Sequence, residues 1–385
     1  MTIGAPVPAG LQAVLDRLSP ERLEQNLWDM LEIYSPPYAE GPVVRHTEGV
    51  LRARGFDVTL QPVPNRGTTR ANVLVQVGPG TPTLLWVGHL DTVELFHEGG
   101  HRPRRDGDLL RGLGTADMKG GCAAAIEALT ALMESGEPLG HAMTLALVVG
   151  EEDAGDGALV LRETLEAPLT VIGEPTSMAA CVDHYSYLEL LVEAHGKRAH
   201  AALPEVGANA IHAMLEVVSA VLEDAPKWPD AERIALSVRR ISGGEPQFVI
   251  AEQCEAQIDV HLPPGVPPEG IEAAFERAIA KAAASHDRVE IGLRRMFWAP
   301  GFGGARDDTR LVPLQAAFAS LGQAWEPTAF RSHSDANLFH DRGTLTVVCG
   351  PGDLDVAHRR SERVSLTEVH AAARLYASLF WHATR

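Results

Sequence analysis

The pattern of hydrophobic and polar positions changes twice along the chain. Up to residue 185, short apolar runs alternate with segments of helical spacing. Runs such as PTLLWVGH (82–89) are apolar at successive positions, which is typical of strands buried on both faces of a sheet. An alanine-rich segment at 116–136 predicts a helix between two such strands. This stretch therefore predicts an α/β fold with a mainly parallel sheet and helices on both faces.

A different pattern fills residues 186–296. Segments such as CEAQIDVHLP (254–263) alternate apolar and polar residues, as half-exposed antiparallel strands do. Two segments of helical spacing, 207–226 and 267–286, lie among them. After residue 296 the buried-strand pattern returns. We therefore predict one α/β domain, formed by residues 1–185 and 297–385, that is interrupted by an inserted α+β domain at 186–296.

Composition and charge exclude several classes of protein. The net charge of −18 argues against binding to nucleic acid or to anionic membranes. The sequence has no apolar run near the ~20 residues of a membrane span and no secretory leader pattern at its N-terminus. Its four cysteines form no CxxC pair, so buried free thiols in a reducing cytoplasm are expected.

Chemically reactive side chains follow most of the buried strands, often directly after a glycine. Because sites in open α/β sheets form at the carboxyl ends of strands, we expect these side chains to converge. Another acidic residue lies in a glycine-bracketed loop before the alanine-rich helix. The set comprises His89, Asp91, Asp117, Glu151, Glu152, Asp153, Glu174, Asp355 and His358.

Each of these residues taken alone has an ordinary structural interpretation. Asp117 is a candidate helix cap, Glu151 and Glu152 fit a solvated loop, and Asp91 fits a turn that binds backbone N–H groups. Gathered together without cations, however, the carboxylates would repel one another. One or two divalent metal ions would resolve this conflict. Imidazole and carboxylate ligands without cysteine favour zinc, cobalt or manganese, and their number suits two ions bridged by one carboxylate.

Six stretches of the chain resemble the M20 family of metallopeptidases and amidohydrolases. They are GHLDTV, LLRGLGTADMKGG, VVGEEDAG, IGEPT, GKRAHAALPEVGANAI and GPGDLDVAHRRSE, in the family's order between residues 84 and 362. The family includes acetylornithine deacetylase, succinyl-diaminopimelate desuccinylase and glutamate carboxypeptidases. The resemblance implies a zinc-peptidase-like catalytic domain with an inserted dimerisation, or lid, domain, and hence a homodimer.

The resemblance also implies a role for each matching residue. Glu151 matches the general base, and Asp91 matches the carboxylate that orients a ligating histidine. His200 matches a histidine that reaches the other subunit's site and hydrogen-bonds the oxyanion. The implied ligands of two divalent ions, Zn²⁺ before Co²⁺ or Mn²⁺, are His89, Asp117 as the bridge, Glu152, Glu174 and His358.

The sequence departs from the family where relatives bind substrate. Phe248 replaces an asparagine, Ala251 replaces a proline, and His261 replaces the arginine of an Asp-x-Arg pattern that holds the substrate carboxylate. Arg331 and His333, in FRSHSDANLF, are candidates to take over that role. Arginine suits it better, because its planar fork matches a carboxylate at two points.

The expected activity is metal-dependent hydrolysis of the amide bond of an N-acyl amino acid or related small molecule, with short peptides as further candidate substrates. A metallo-carboxypeptidase or dipeptidase of the same family is the alternative. A metal-binding protein that has lost catalysis is a weaker hypothesis, because Glu151 and the ligand set are intact. A monomeric zinc aminopeptidase is disfavoured, because it would lack the inserted stretch at 186–296.

Overall fold

The computed structural model describes residues 7–64, 70–95, 101–304, 306–340 and 342–385. By their contacts these residues divide into two compact units. The first unit comprises residues up to Asp183, Gly304–Phe330 and Ser334–Arg385, and the second comprises His184–Gly303 with Arg331–His333. Within the described part, no helix is both long and apolar enough to cross a membrane.

Helices and strands are numbered here along the whole chain. The helices are α1 (Ala9–Leu15), α2 (Pro20–Glu32), α3 (Gly41–Ala53), α4 (Gly120–Glu134), α5 (Asp156–Arg162), α6 (Ala210–Asp224), α7 (Glu269–Ser285), α8 (Val312–Ser320), α9 (Ala336–His340) and α10 (Leu366–Ala383). The strands are β1 (Thr59–Val63), β2 (Arg70–Val77), β3 (Pro82–His89), β4 (Arg104–Asp106), β5 (Leu109–Arg111), β6 (Ala142–Val148), β7 (Leu169–Ile172), β8 (Cys181–His184), β9 (Ser186–His195), β10 (Ala235–Gly243), β11 (Gln253–Leu262), β12 (Glu290–Ala299), β13 (Thr328–Phe330), β14 (Leu345–Val348) and β15 (Arg363–Ser365).

The main sheet of the first unit has the strand order β1-β2-β6-β3-β7-β14-β8-β13. Its central strands β6, β3, β7 and β14 are parallel to one another. The outer pairs β1–β2, β2–β6 and β14–β8 are antiparallel. The predicted α/β class with a mainly parallel central sheet is confirmed, and the antiparallel strands are a feature that the apolar pattern did not distinguish.

The central strands explain the continuous apolar runs of the sequence. Every residue of β6, β7 and β14 is buried. Because successive side chains of a strand point to opposite faces, helices must cover the sheet on both sides. The alanine-rich α4 is buried from Gly120 to Leu132 and packs against α10, since its small side chains allow a close approach.

The second unit is an antiparallel sheet of order β10-β11-β9-β12 with α6 and α7 packed on it. Strand β11 alternates exposed or half-buried residues with buried ones, as its sequence predicts. The sequence predicts the inserted domain at residues 186–296. The unit extends beyond residue 296 because β12 pairs with β9 as far as Ala299, opposite Tyr187.

Candidate active site

Three neighbouring strands bring the predicted residues to one edge of the main sheet. Strand β3 ends at His89, and its parallel neighbours are β6 on one side and β7 on the other. The turn with Glu151 and Glu152 follows β6, and Glu174 follows β7. Because parallel strands end at the same edge, their terminal side chains meet there, as the sequence predicts for open α/β sheets.

Glycines at two of these strand ends make room for a shared neighbour. A Cβ atom at Gly88 or at Gly173 would lie 2.8 Å from the terminal methyl carbon of Met118. Met118 directly follows Asp117 in the loop before α4. The glycines therefore allow the Asp117 loop to pack against the ends of β3 and β7.

His89 lies at the centre of the cluster and is 1% exposed. Its Nδ1 atom lies 3.0 Å from the backbone oxygen of Asp91. Its Nε2 atom lies 3.1 Å from Asp117 Oδ1 and 3.6 Å from Glu174 Oε1. One ring nitrogen is therefore held by the backbone, while the other faces two carboxylates.

Asp117 lies between two imidazoles. Its Oδ1 faces His89, and its Oδ2 lies 3.3 Å from His358 Nε2. The same His358 atom lies 3.1 Å from Glu152 Oε2. His358 has a φ of 56°, a left-handed conformation that is unfavourable for a residue with a side chain. Surrounding structure must hold His358 in this conformation, and such conformations are enriched at functional sites.

The electrostatics of the cluster indicate a shortage of positive charge. Burial and neighbouring carboxylates raise the pKa of Glu151 and of Glu174 well above the ordinary value, although the nearby His89 acts to lower both. Burial opposes protonation of His89, yet the carboxylates of Glu174 and Asp117 raise its pKa well above normal. The pKa of Asp117 moves the opposite way: despite burial, His358 and His89 hold it well below its usual range.

Lys119, which follows Asp117 by two residues, does not supply the missing charge. Its side chain is buried, and its ammonium group donates hydrogen bonds to the backbone oxygens of Met30 and Ile33. Burial lowers the pKa of Lys119 to about 8. The ammonium therefore binds the C-terminal end of α2 and forms no ion pair with the acidic cluster among the described residues.

The donor set fits divalent metal ions. Ligand atoms within 4.8 Å of one another form two groups, His89–Glu151–Glu174 and His89–Asp117–Glu152. All are imidazole nitrogens or carboxylate oxygens, which suit zinc, cobalt or manganese. Asp153 and Asp355, which also follow predicted strands, belong to neither group.

Asp91 contacts the turn that holds Glu151. Its carboxylate accepts hydrogen bonds from the N–H groups of Gly150, at 2.8 Å, and Glu152, at 3.0 Å. The same carboxylate lies 3.8 Å from His89 Nδ1, beyond hydrogen-bond distance. Asp91 thus meets His89 through its backbone oxygen and fixes the Glu151 turn through its side chain.

The remaining predicted residues belong to the second unit. His200 is exposed, and its Nδ1 accepts a hydrogen bond from the N–H of Ala202 at 3.1 Å. The guanidinium carbon of Arg331 lies 6.0 Å from the centre of the Tyr185 ring. Phe248, for which the M20 resemblance implies an asparagine in relatives, is 88% exposed.

His261 and His333 belong to a cluster of rings in the second unit. The ring of Tyr187 lies 5.1 Å from that of His261 and 5.6 Å from that of His333, and Phe297 lies 5.7 Å from His333. Burial lowers the pKa of His261, and it lowers the pKa of His333 to about 4. Burial therefore favours the neutral form of both imidazoles.

Sequence reasoning missed Glu362. This residue is 3% exposed, and burial together with the charge of Asp117 raises its pKa to about 7. Its carboxylate contacts the backbone of the Asp117 loop. Glu362 is the last residue of the stretch GPGDLDVAHRRSE, which resembles the M20 family. Its hydrogen bonds to a distant part of the backbone, however, produce no pattern that the sequence could reveal.

Imidazoles and carboxylates gathered at the carboxyl ends of parallel strands suit a metal-dependent hydrolase. Residues 85–382 match the model of Peptidase family M20/M25/M40, and the chain belongs to that family. The M20 resemblance of the sequence is thereby confirmed, as is its expectation of a hydrolase. The family is metal-dependent, and zinc is typical of it.

Relatives in the family carry different activities in their names. A protein described as a probable carboxypeptidase from Neosartorya fischeri is 28% identical, with 91% of this chain and 84% of that protein covered. The acetylornithine deacetylase of Proteus mirabilis is also 28% identical, with 86% of each chain covered.

Solved structures share the fold at low sequence identity. A tripeptidase from Staphylococcus aureus has a TM-score of 0.78 at 20% identity, over 96% of this chain and 100% of that one. An M20 family metallo-carboxypeptidase from Sulfolobus solfataricus has a TM-score of 0.72 at 14% identity, over 94% of this chain and 99% of that one. At these identities the likeness concerns the fold alone.

Proposed function

We propose that this protein is a dinuclear zinc amidohydrolase that cleaves the amide bond of an N-acyl amino acid or a related small molecule. The observation that carries the proposal is the position of Asp117. Its two carboxylate oxygens face two different imidazoles, at 3.1 Å from His89 and 3.3 Å from His358. A carboxylate so placed suits the bridge between two ions.

The neighbouring contacts support an assignment of the other proposed ligands to two ions. His89 lies beside Glu174, and His358 lies beside Glu152. We assign the first pair to one ion and the second pair to the other, with Asp117 shared. When bound, the ions would polarise the amide carbonyl and lower the pKa of a water molecule. Zn²⁺ is the proposed ion, and Co²⁺ or Mn²⁺ would suit the same ligands.

Glu151 is the proposed general base. Its ligand atom lies within 4.8 Å of those of His89 and Glu174, so it is next to the reacting centre. A carboxylate in this position can accept a proton from water and donate it to the leaving amine. Asp91 fixes this base by holding the N–H groups on both sides of it.

The substrate class is the finer part of the proposal. We place a deacylase of the acetylornithine or succinyl-diaminopimelate type first, in accord with the deacetylase relative. A carboxypeptidase or dipeptidase is the second candidate, because relatives described as probable carboxypeptidases cover 91% of the chain. Arg331 is the proposed clamp for a substrate carboxylate, since it is exposed and its planar fork matches a carboxylate at two points, whereas burial lowers the pKa of His261. Loss of catalysis remains the third candidate.

A substrate panel on protein of defined metal content tests the proposal. We expect the zinc-loaded protein to hydrolyse N-acetyl or N-succinyl amino acids faster than dipeptides, with activity lost on chelation and restored by adding the metal back. Amine release measures each rate. Faster dipeptide cleavage would favour the peptidase, and two bound ions with no hydrolysis of any amide would favour the inactive protein.

We further propose a homodimer formed through the second unit. An apolar stripe on α6 has Leu215 and Leu222 about half exposed, at 51% and 47%. Strand β10 lies at one edge of its sheet and offers backbone groups for pairing with another strand. In a dimer, His200 is the proposed donor to the oxyanion in the other subunit's site.

The free, buried state of all four cysteines accords with the proposed cytoplasmic location.

Replacing Leu222 with glutamate should therefore shift the protein from dimer to monomer. The added charge would be desolvated without a partner in a dimer, and this strongly opposes association. Sedimentation velocity measures the change. The matched control is Met133→Glu, because Met133 is 45% exposed but lies in α4 of the first unit. A wild-type monomer, or equal effects of both variants, would contradict the proposed interface.

A further inference from the structure

A buried carboxylate holds the loop that carries Asp117. Oε1 of Glu362 accepts hydrogen bonds from the N–H groups of Ala116, at 3.0 Å, and Asp117, at 3.2 Å. The backbone oxygen of Glu362 accepts a third, from the N–H of Gly112, at 3.2 Å. Glu362 therefore contacts the loop at its start and again at Asp117.

The loop depends on such outside contacts because its own backbone is irregular. Asp117 has φ −120° and ψ 95°, far from helical values, although α4 begins only a few residues later. Buried N–H groups outside regular structure need acceptors elsewhere. For Ala116 and Asp117, Glu362 supplies them.

The segment that carries Glu362 also carries His358. The N–H of Glu362 donates to the backbone oxygen of Arg359 at 3.1 Å, which closes a turn just after His358. One short segment thus places His358 against Oδ2 of Asp117 and the Glu362 carboxylate against the N–H of the same residue.

We propose that Glu362 is a positioning residue that fixes the backbone of Asp117. The two carboxylate oxygens of Asp117 then point at the two proposed metal positions. The proposal rests on the metal-bridging role proposed for Asp117. The alternative is that Glu362 merely stabilises the fold. The two roles differ in outcome, since only positioning links Glu362 to metal affinity.

Three variants separate these roles. Glu362→Ala removes the acceptor, and Glu362→Gln keeps an acceptor oxygen but removes the charge. Glu127→Ala is the control for loss of a buried carboxylate, because Glu127 is 1% exposed and pairs with Arg22 and Arg54 in the same unit. It is not among the groups that could hold a metal.

Two measurements are made on each variant. The first is amide hydrogen exchange of the peptide covering 114–119 in metal-free protein, and the second is Co²⁺ affinity, followed by the visible absorption of the bound ion. We expect Glu362→Ala to speed exchange of this peptide and to weaken Co²⁺ binding by about 10- to 100-fold, as loss of a residue behind a metal ligand does. Glu362→Gln should stay within about threefold of wild type in affinity.

The outcomes are decisive in either direction. Wild-type exchange and affinity in Glu362→Ala would overturn the proposal, as would an equal loss of affinity in Glu127→Ala. Loss of affinity in Glu362→Gln with unchanged exchange would also overturn it, because charge and not backbone position would then be responsible. If Glu362→Ala fails to fold, Glu362→Asp replaces it, because the shorter side chain keeps the charge but withdraws the acceptor from the N–H groups of Ala116 and Asp117. Glu362→Asp should then speed exchange and weaken Co²⁺ binding, and wild-type values of both would overturn the proposal. A wild-type protein without affinity for any metal would refute the proposed function, while the exchange comparison would still test the loop contact.

Discussion

Replacing Glu151 with glutamine is expected to lower kcat by about 10²- to 10⁴-fold, the usual contribution of a general base, while both metal ions stay bound. The amide is nearly isosteric with the carboxylate but cannot take a proton from water at neutral pH. The turn is held by hydrogen bonds from the backbone N–H groups of Gly150 and Glu152 to the Asp91 carboxylate. Because the Glu151 side chain takes no part in them, the substitution should leave the turn intact. Steady-state kinetics and metal analysis of the same preparation measure the two quantities.

Metal content is the sharper of the two measurements for Glu151. Its ligand atom lies within 4.8 Å of those of His89 and Glu174, so the geometry alone is compatible with a base or with a ligand. The matched variant is Glu152→Gln at the next position, which should lower metal affinity because Glu152 is a proposed ligand beside His358. Near-native rates in Glu151→Gln would disprove its role as base, and metal loss equal to that of Glu152→Gln would make it a ligand.

The convergence of the reactive side chains could be predicted from the sequence because its signals are local. Buried strands read as continuous apolar runs, and a reactive side chain just after such a run must lie at the edge of the sheet. In the structure, His89 ends β3, and Glu151 and Glu174 follow its two neighbouring strands, β6 and β7. Their convergence then needed only parallel strands, which the intervening helices imply.

Contacts between distant segments were beyond sequence reasoning. Whether Lys119 compensates the acidic cluster depends on where its ammonium points, and it points at the end of α2. Likewise, the hydrogen bonds from Ala116 and Asp117 to Glu362 join residues that are far apart in the chain. Such contacts follow from tertiary packing. A hydrophobic pattern predicts which faces of helices and strands are buried, but not which polar groups meet.

The acidic cluster also gives a physical reason for a cation to bind at this edge. Glu151, Glu152 and Glu174 all have raised pKa values, first because they are buried and then because other carboxylates are near. Burying ionised groups costs free energy unless opposite charge compensates it. The described imidazoles of His89 and His358 compensate chiefly Asp117, whose pKa they lower. Metal binding would compensate the remaining carboxylates, so site assembly and metal affinity are expected to be coupled.

His89→Ala should reduce the metal content from two ions to one per chain, whereas Asp91→Ala should keep both ions and lower kcat by about 10- to 100-fold. The imidazole of His89 faces two other proposed ligands, so its removal opens one ion position directly. The Asp91 carboxylate holds N–H groups on both sides of Glu151, so its removal frees the base. Metal analysis and kinetics on both variants measure these effects.

Asp91→Asn refines this comparison because it leaves one oxygen acceptor in place of two. The His89 ring should keep its hydrogen bond in either Asp91 variant, since its Nδ1 contacts the backbone oxygen of residue 91 and not the side chain. Asp91→Asn should therefore fall between wild type and Asp91→Ala in kcat, with no loss of metal. If Asp91→Ala loses an ion as His89→Ala does, then the carboxylate, at 3.8 Å from the ring, supports the ligand after all. In that case orienting His89 would be its main role.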